Sequence, residues 1–80
     1  MEELKPVSSI QDYGKIKIKL KDIMEQKSLT RYQLSKLTNT RFEVINKWYN
    51  GSVERIDSDV LARLCFTLGC RVDEIIEYNK

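Results

Sequence analysis

Two helix-start signals stand ten residues apart in the middle of the chain and leave room for only a tight turn between two short helices. Thr30 is followed three residues later by Gln33, and Thr40 is followed three residues later by Glu43. At this spacing each side chain of a capping box can bond a free backbone N–H of the first helical turn. Residues 38–40, Thr-Asn-Thr, are poor helix formers. This stretch is therefore predicted to fold as helix, turn and helix.

The turn and the end of the second helix each carry a residue suited to a left-handed backbone. Asn39 is expected to adopt that conformation in the sharp turn. The second helix carries Val44, Ile45 and Trp48 on one side, and Gly51 can close it without a steric penalty. Capping chemistry favours Thr40 as the residue before this helix.

The segments on either side add three further helices to the prediction. Residues 15–20 alternate like a strand, yet Ile16, Leu20, Ile23 and Met24 also follow helical spacing. A helix over about residues 17–27 is favoured, and a short strand before it is the alternative.

A fourth helix follows a linker over residues 52–56, and a fifth ends the chain. Asp57 can cap the fourth helix and Gly69 can close it. The fifth helix is expected over about residues 72–77, with three apolar residues turned inward: Val72, Ile75 and Ile76.

The predicted fold class is all-α, with five helices in one domain over residues 15–80 and a flexible N-terminal arm over residues 1–14. Eighty residues suffice for one compact domain with a modest core. The apolar spacing predicts these buried side chains: Leu34, Leu37, Ile45, Trp48, Leu61, Leu64, Cys65, Leu68 and Ile75.

Composition and charge exclude several classes of function. The N-terminus carries acidic residues where a signal peptide needs a basic start, so a cytoplasmic protein is expected. Cys65 and Cys70, without any histidine, supply too few ligands for zinc, so buried structural thiols are expected, and no cofactor or metal.

Residues 1–50 hold ten basic against six acidic residues, and residues 51–80 hold four against six. This asymmetry favours one face directed toward phosphate.

The second helix of the pair is expected to present polar side chains outward once Ile45 and Trp48 face the core. The predicted DNA-binding residues are Arg31, Arg41, Phe42, Glu43, Asn46, Lys47 and Asn50. Asn46 is the candidate reader of adenine, because its amide donates and accepts together. Phe42 could contact a thymine methyl group or a protein partner.

Residues 29–51, LTRYQLSKLTNTRFEVINKWYNG, resemble the Cro/CI-type helix-turn-helix of phage and bacterial repressors without a gap. In that resemblance Leu34 is the buried leucine, Ser35 the small residue at the helix crossing and Asn39 replaces the turn glycine. The resemblance places the cap of the second helix at Arg41. Residues 56–78 are similar to the fourth and fifth helices of small regulators of this superfamily, including the paired cysteines.

The resemblance implies a sequence-specific transcriptional regulator, expected to be a repressor that binds duplex DNA as a homodimer. Candidate dimer surfaces are the last helix with Tyr78 and residues 15–19 acting as an intermolecular strand. A protein-interaction module on the same fold, of antitoxin or adaptor type, is the alternative. An enzyme is not expected, because no nucleophile and base are arranged together.

Overall fold

The structure is a computed structural model that describes residues 4–8 and 12–80. These residues contain five helices and two short strands. In chain order they are β1 (Lys15–Ile18), α1 (Leu20–Gln26), α2 (Arg31–Leu37), α3 (Phe42–Asn50), α4 (Ser58–Leu68), α5 (Val72–Ile75) and β2 (Ile76–Asn79). The all-α prediction is therefore corrected to a mostly helical fold with a small antiparallel sheet of β1 and β2.

Two predicted helix boundaries are wrong because the ends of the domain pair with each other. The first helix begins only at Leu20, and the last ends at Ile75, where the chain turns into a strand. Ile18 lies opposite Ile76 in the sheet, and both side chains are half-buried against the core. The short strand that the sequence offered as an alternative before α1 is present as β1, and it pairs with β2 of the same chain. Val72, predicted to face inward, is exposed.

The start of β1 is fixed by contacts with the end of β2. The Tyr78 hydroxyl donates a hydrogen bond to the Tyr13 carbonyl at 2.6 Å. Gly14 has a φ of +89°, and a Cβ there would lie 2.6 Å from the Asn79 carbonyl oxygen. Glycine is required at this position by both the backbone angle and the close approach.

The predicted flexible arm over residues 1–14 falls in part outside the described residues, at residues 1–3 and 9–11. Residues 4–8 are exposed. The arm therefore stays a prediction.

The core joins all five helices. Its buried side chains are Leu20, Met24, Leu34, Ile45, Trp48, Leu64, Leu68 and Ile75. Among the residues predicted to be buried, Leu61 and Cys65 are only half-buried and pack against this cluster.

The prediction that Leu37 is buried is wrong, because its side chain is 60% exposed. The buried side of α2 is formed by Leu34, Ser35 and Thr38 instead. Leu34 and Thr38 are four residues apart and lie on one face of the helix, whereas Leu37 falls beside that face. The buried hydroxyl of Thr38 has a hydrogen-bond partner, because it donates to the Leu34 carbonyl at 2.8 Å.

The two predicted capping boxes have different outcomes. At α2 the Thr30 hydroxyl accepts from the Gln33 N–H at 3.1 Å, and Gln33 Oε1 accepts from the Thr30 N–H at 2.9 Å. That box is confirmed. At α3 the Thr40 hydroxyl donates to the Thr38 carbonyl at 3.1 Å, and the cap is Arg41. The second box is absent because the tight turn uses the Thr40 side chain.

The turn between α2 and α3 is held from outside by α4. Asn39 has a φ of 51°, which confirms its predicted left-handed conformation. Arg63 of α4 donates through Nη1 to the Asn39 carbonyl at 2.7 Å and to the Thr38 carbonyl at 3.3 Å. Its Nε lies 3.0 Å from Asp59 Oδ2, which orients the guanidinium. Sequence patterns did not indicate this contact between distant elements.

The two ends of α4 match the prediction. Asp57 Oδ1 accepts from the Asp59 N–H at 2.8 Å, and Gly69 has a φ of 63°. The Cys70 N–H donates to the Cys65 carbonyl at 3.2 Å, which places both free, half-buried cysteines at the helix end. Burial and the neighbouring Cys65 raise the pKa of the Cys70 thiol. Protonated, partly buried thiols of this kind favour packing over reactivity.

Replacing Ser35 with leucine tests the close approach of α2 to the core. Ser35 is 7% exposed, so the added volume should overpack the site and cost about 1–3 kcal/mol of unfolding free energy. Leu37→Ser on the same helix is the control and should change stability by less than about 0.5 kcal/mol. Urea unfolding measures both. Equal effects of the two variants would contradict the packing described here.

Replacing Arg63 with methionine tests the link between α4 and the turn. Loss of the bonds to the Asn39 and Thr38 carbonyls should lower the unfolding free energy by about 0.5–1.5 kcal/mol. Arg71→Met is the control, because the Arg71 side chain is exposed and its one ion pair among the described residues is with its near neighbour Asp73. If chemical denaturation shows no difference between the variants, Arg63 does not stabilise the turn.

Candidate nucleic-acid interface

The outward side of α3 carries two rows of side chains. One row, here called the inner row, consists of Phe42, Asn46 and Tyr49, and the outer row consists of Glu43, Lys47 and Asn50. Within each row the residues are four and then three positions apart, which places them on one line along a helix. Ile45 and Trp48 lie on the opposite side and are buried, so the core fixes which rows face outward.

Arg31, in the first turn of α2, lies across the inner row. Its Nη1 donates to Asn46 Oδ1 at 2.6 Å. Its guanidinium lies 4.7 Å from the centre of the Tyr49 ring and 5.9 Å from that of Phe42. A cation at these distances is attracted to the face of an aromatic ring. The structure thus brings together three of the predicted site residues, Arg31, Phe42 and Asn46.

Tyr49 and Lys21 were not among the predicted site residues. Lys21 in α1 places its Nζ 5.7 Å from the centre of the Tyr49 ring. Tyr49 follows Asn46 by three residues, so helical spacing alone could have placed it in the row. Lys21 is far from α3 in sequence, and no local pattern pointed to it.

The outer row and Arg41 are not tied to the inner row. Within residues 4–8 and 12–80, no hydrogen bond or ion pair holds the side chains of Arg41, Glu43, Lys47 or Asn50. All four are exposed. They are available to a ligand without the cost of breaking an internal contact.

The charge around α3 is mainly positive. Arg41 precedes the helix, Lys47 lies in its last turn, and Arg31 and Lys21 reach it from α2 and α1. Glu43 is the acidic residue of the exposed rows. A basic surface that also offers amide groups suits phosphate and base edges together.

Other kinds of site find little support in the described chain. Residues 4–8 and 12–80 contain no group of three or more metal-ligating side chains arranged to hold an ion. The same residues include no helix long and apolar enough to cross a bilayer.

A solved structure of similar fold supports the arrangement of these helices. The crystal structure of a candidate DNA-binding protein from Bacteroides fragilis matches this chain with a TM-score of 0.68 and 16% sequence identity. The match covers 79% of this chain and 100% of that one. At this identity the likeness shows the fold alone. A comparison with curated proteins finds no match.

The sequence itself matches a family of DNA-binding domains. The profile of the Cro/C1-type HTH DNA-binding domain covers residues 19–80, from the start of α1 through β2. This range includes α2, the turn and α3 with both exposed rows. It spans well over half of the chain. The protein therefore belongs to the family of Cro/C1-type helix-turn-helix DNA-binding domains.

Proposed function

We propose that this protein is a sequence-specific transcriptional regulator, a repressor, that places α3 in the major groove of duplex DNA. A helix fits this groove, and its outward side chains reach base edges and phosphates there. On this proposal the protein acts in the cytoplasm and catalyses no reaction. The proposed DNA-binding unit is residues 15–80, preceded in the chain by the flexible arm that the sequence predicts over residues 1–14.

One observation carries the proposal: the exposed side of α3 is mainly basic, carries two asparagine amides, and has an outer row whose side chains form no hydrogen bond or ion pair with any other described residue. Lys47 and Arg41 can hold phosphates, and Asn50 can reach a phosphate or a base edge. Such side chains on one face of a helix offer the donors that phosphates and base edges accept.

The proposed binding form is a homodimer on a near-palindromic site. A single α3 of nine residues reads only a few base pairs. Two copies related by a twofold axis would contact half-sites about 34 Å apart, one turn of DNA.

A protein-interaction role remains the second candidate, and two exposed apolar side chains favour it. Leu37 is 60% exposed and Phe66 is 89% exposed. Both line one shallow depression between α2 and α4, together with Ala62 and Thr67. Exposed apolar surface of this kind can mark a protein contact.

Lys47→Ala should weaken binding to all duplexes alike and reduce the slope of log affinity against log salt by about one unit, because one phosphate contact is lost. Lys27→Ala is the matched control. Lys27 follows α1 and belongs to neither row of α3, and its charge acts on Cys70 at the end of α4. Titrations of both variants at several salt concentrations against a selected and a scrambled duplex measure the difference.

The contrary outcome separates the two candidate functions. If the wild type shows no preference among duplexes and Lys47→Ala behaves like Lys27→Ala, the DNA-binding proposal is wrong. Phe66→Ser should leave the titrations unchanged if α3 is the DNA-binding element.

A further inference from the structure

The inner row of α3 contains a bonded pair whose chemistry differs from that of either residue alone. Arg31 Nη1 and Asn46 Oδ1 are 2.6 Å apart, a distance typical of a strong charge-assisted hydrogen bond. The bond joins the first turn of α2 to the middle of α3. It also determines which atoms of the Asn46 amide remain for a ligand.

The pair presents hydrogen-bond donors. An asparagine amide offers one accepting oxygen and one donating NH₂ group, and here the oxygen faces the guanidinium. The NH₂ group of Asn46 and the remaining N–H groups of Arg31 are the groups left to face a ligand. A guanidinium is always charged, so the pair is also positive. A matching ligand must offer acceptors and negative potential.

We propose that Arg31 and Asn46 act as one unit that reads a guanine in the major groove, an inference that rests on the proposed DNA-binding function. Guanine presents two neighbouring acceptors there, N7 and O6. Adenine presents one acceptor beside an N6 donor, cytosine presents a donor, and thymine presents one acceptor beside a methyl group. Guanine alone matches two adjacent donors.

This pairing revises the expectation that Asn46 alone reads adenine. That reading requires Oδ1 to accept from the adenine N6 group while Nδ2 donates to N7. In the structure one lone pair of Oδ1 already accepts from Arg31, so the adenine N6 group would have to share this oxygen with a cation. The positive guanidinium at this oxygen also repels the N6 donor and attracts O6.

The aromatic side chains of the inner row hold Arg31 in position for this role. Tyr49 and Phe42 lie at 4.7 Å and 5.9 Å from the guanidinium, so its plane is restricted before any ligand arrives. A side chain ordered in advance loses less entropy when it binds. Lysine could supply the charge but not the planar set of donors.

The test begins with the duplex that the wild-type protein selects from random DNA. Affinities are then measured for single base-pair changes and for 7-deazaguanine, which lacks the N7 acceptor, at each selected guanine. One guanine should be sensitive to both Arg31→Lys and Asn46→Ala, with its preference reduced by roughly 5- to 150-fold in each variant. The double variant should lose little more than the larger single loss, because the residues act together.

The variant Asn46→Asp distinguishes a loss of guanine recognition from a loss of folding stability. The carboxylate keeps an acceptor for Arg31, so the thermal midpoint should stay near that of the wild type. It removes the donor that faces the base, so the preference for guanine should disappear. A variant that keeps the preference overturns the proposal.

Other outcomes also overturn the proposal, and they differ from a failure of the proposed function. If Arg31→Lys weakens all duplexes equally, Arg31 holds a phosphate and the two residues are not a unit. If the two variants affect different base pairs, or if 7-deazaguanine is tolerated at every position, the guanine reading is wrong while sequence-specific binding stands. A wild type that prefers no sequence overturns both.

Discussion

Helix α3, which carries the candidate interface, is too short to be stable without the core beneath it. α3 has nine residues and α2 has seven, whereas isolated helices shorter than about 12–15 residues are marginal in water. Both helices therefore depend on tertiary packing, through Leu34 on α2 and Ile45 and Trp48 on α3. The same contacts determine which side of α3 faces outward, so the stability of the helix and the position of the candidate interface have one cause.

The rest of the fold keeps this small unit rigid. Arg63 holds the turn from α4, and β1 and β2 join the two ends of the domain, with the Lys19 N–H also donating to the Ile75 carbonyl at 2.7 Å. An 80-residue chain buries a limited core, so such polar contacts between distant elements matter. Among the residues that the structure describes, none forms a hydrogen bond or ion pair with the side chains of the outer row of α3.

Local chemistry predicted the central helices well and the domain ends poorly. The capping box at Thr30, the left-handed Asn39 and the helix ends at Gly51 and Gly69 each depend on residues close in sequence, and each is confirmed. The pairing of β1 with β2 depends on segments at opposite ends of the chain. Periodicity could not detect it, because short apolar runs fit a helix or a strand equally well.

In the candidate interface, too, the sequence predicted the features that depend on neighbouring residues and missed those that depend on contacts between elements. The α3 residues that belong to the candidate interface follow from helical spacing once Ile45 and Trp48 face the core. The bond between Arg31 and Asn46 does not follow from spacing, since it joins two helices and depends on how they cross. The exposure of Leu37 was missed for a related reason, because seven residues are too few to define the buried face of a helix from its apolar spacing alone.

The most direct test of this account is a map of backbone amide chemical shifts during titration with a selected duplex. If α3 lies in the major groove, the largest changes should fall on residues 41–51 and on the first turn of α2 at Arg31. Signals from β2 and from the depression beside Phe66 should change little. Changes concentrated at Phe66 and Leu37, with α3 unaffected, would contradict the claim that α3 is the DNA-binding element.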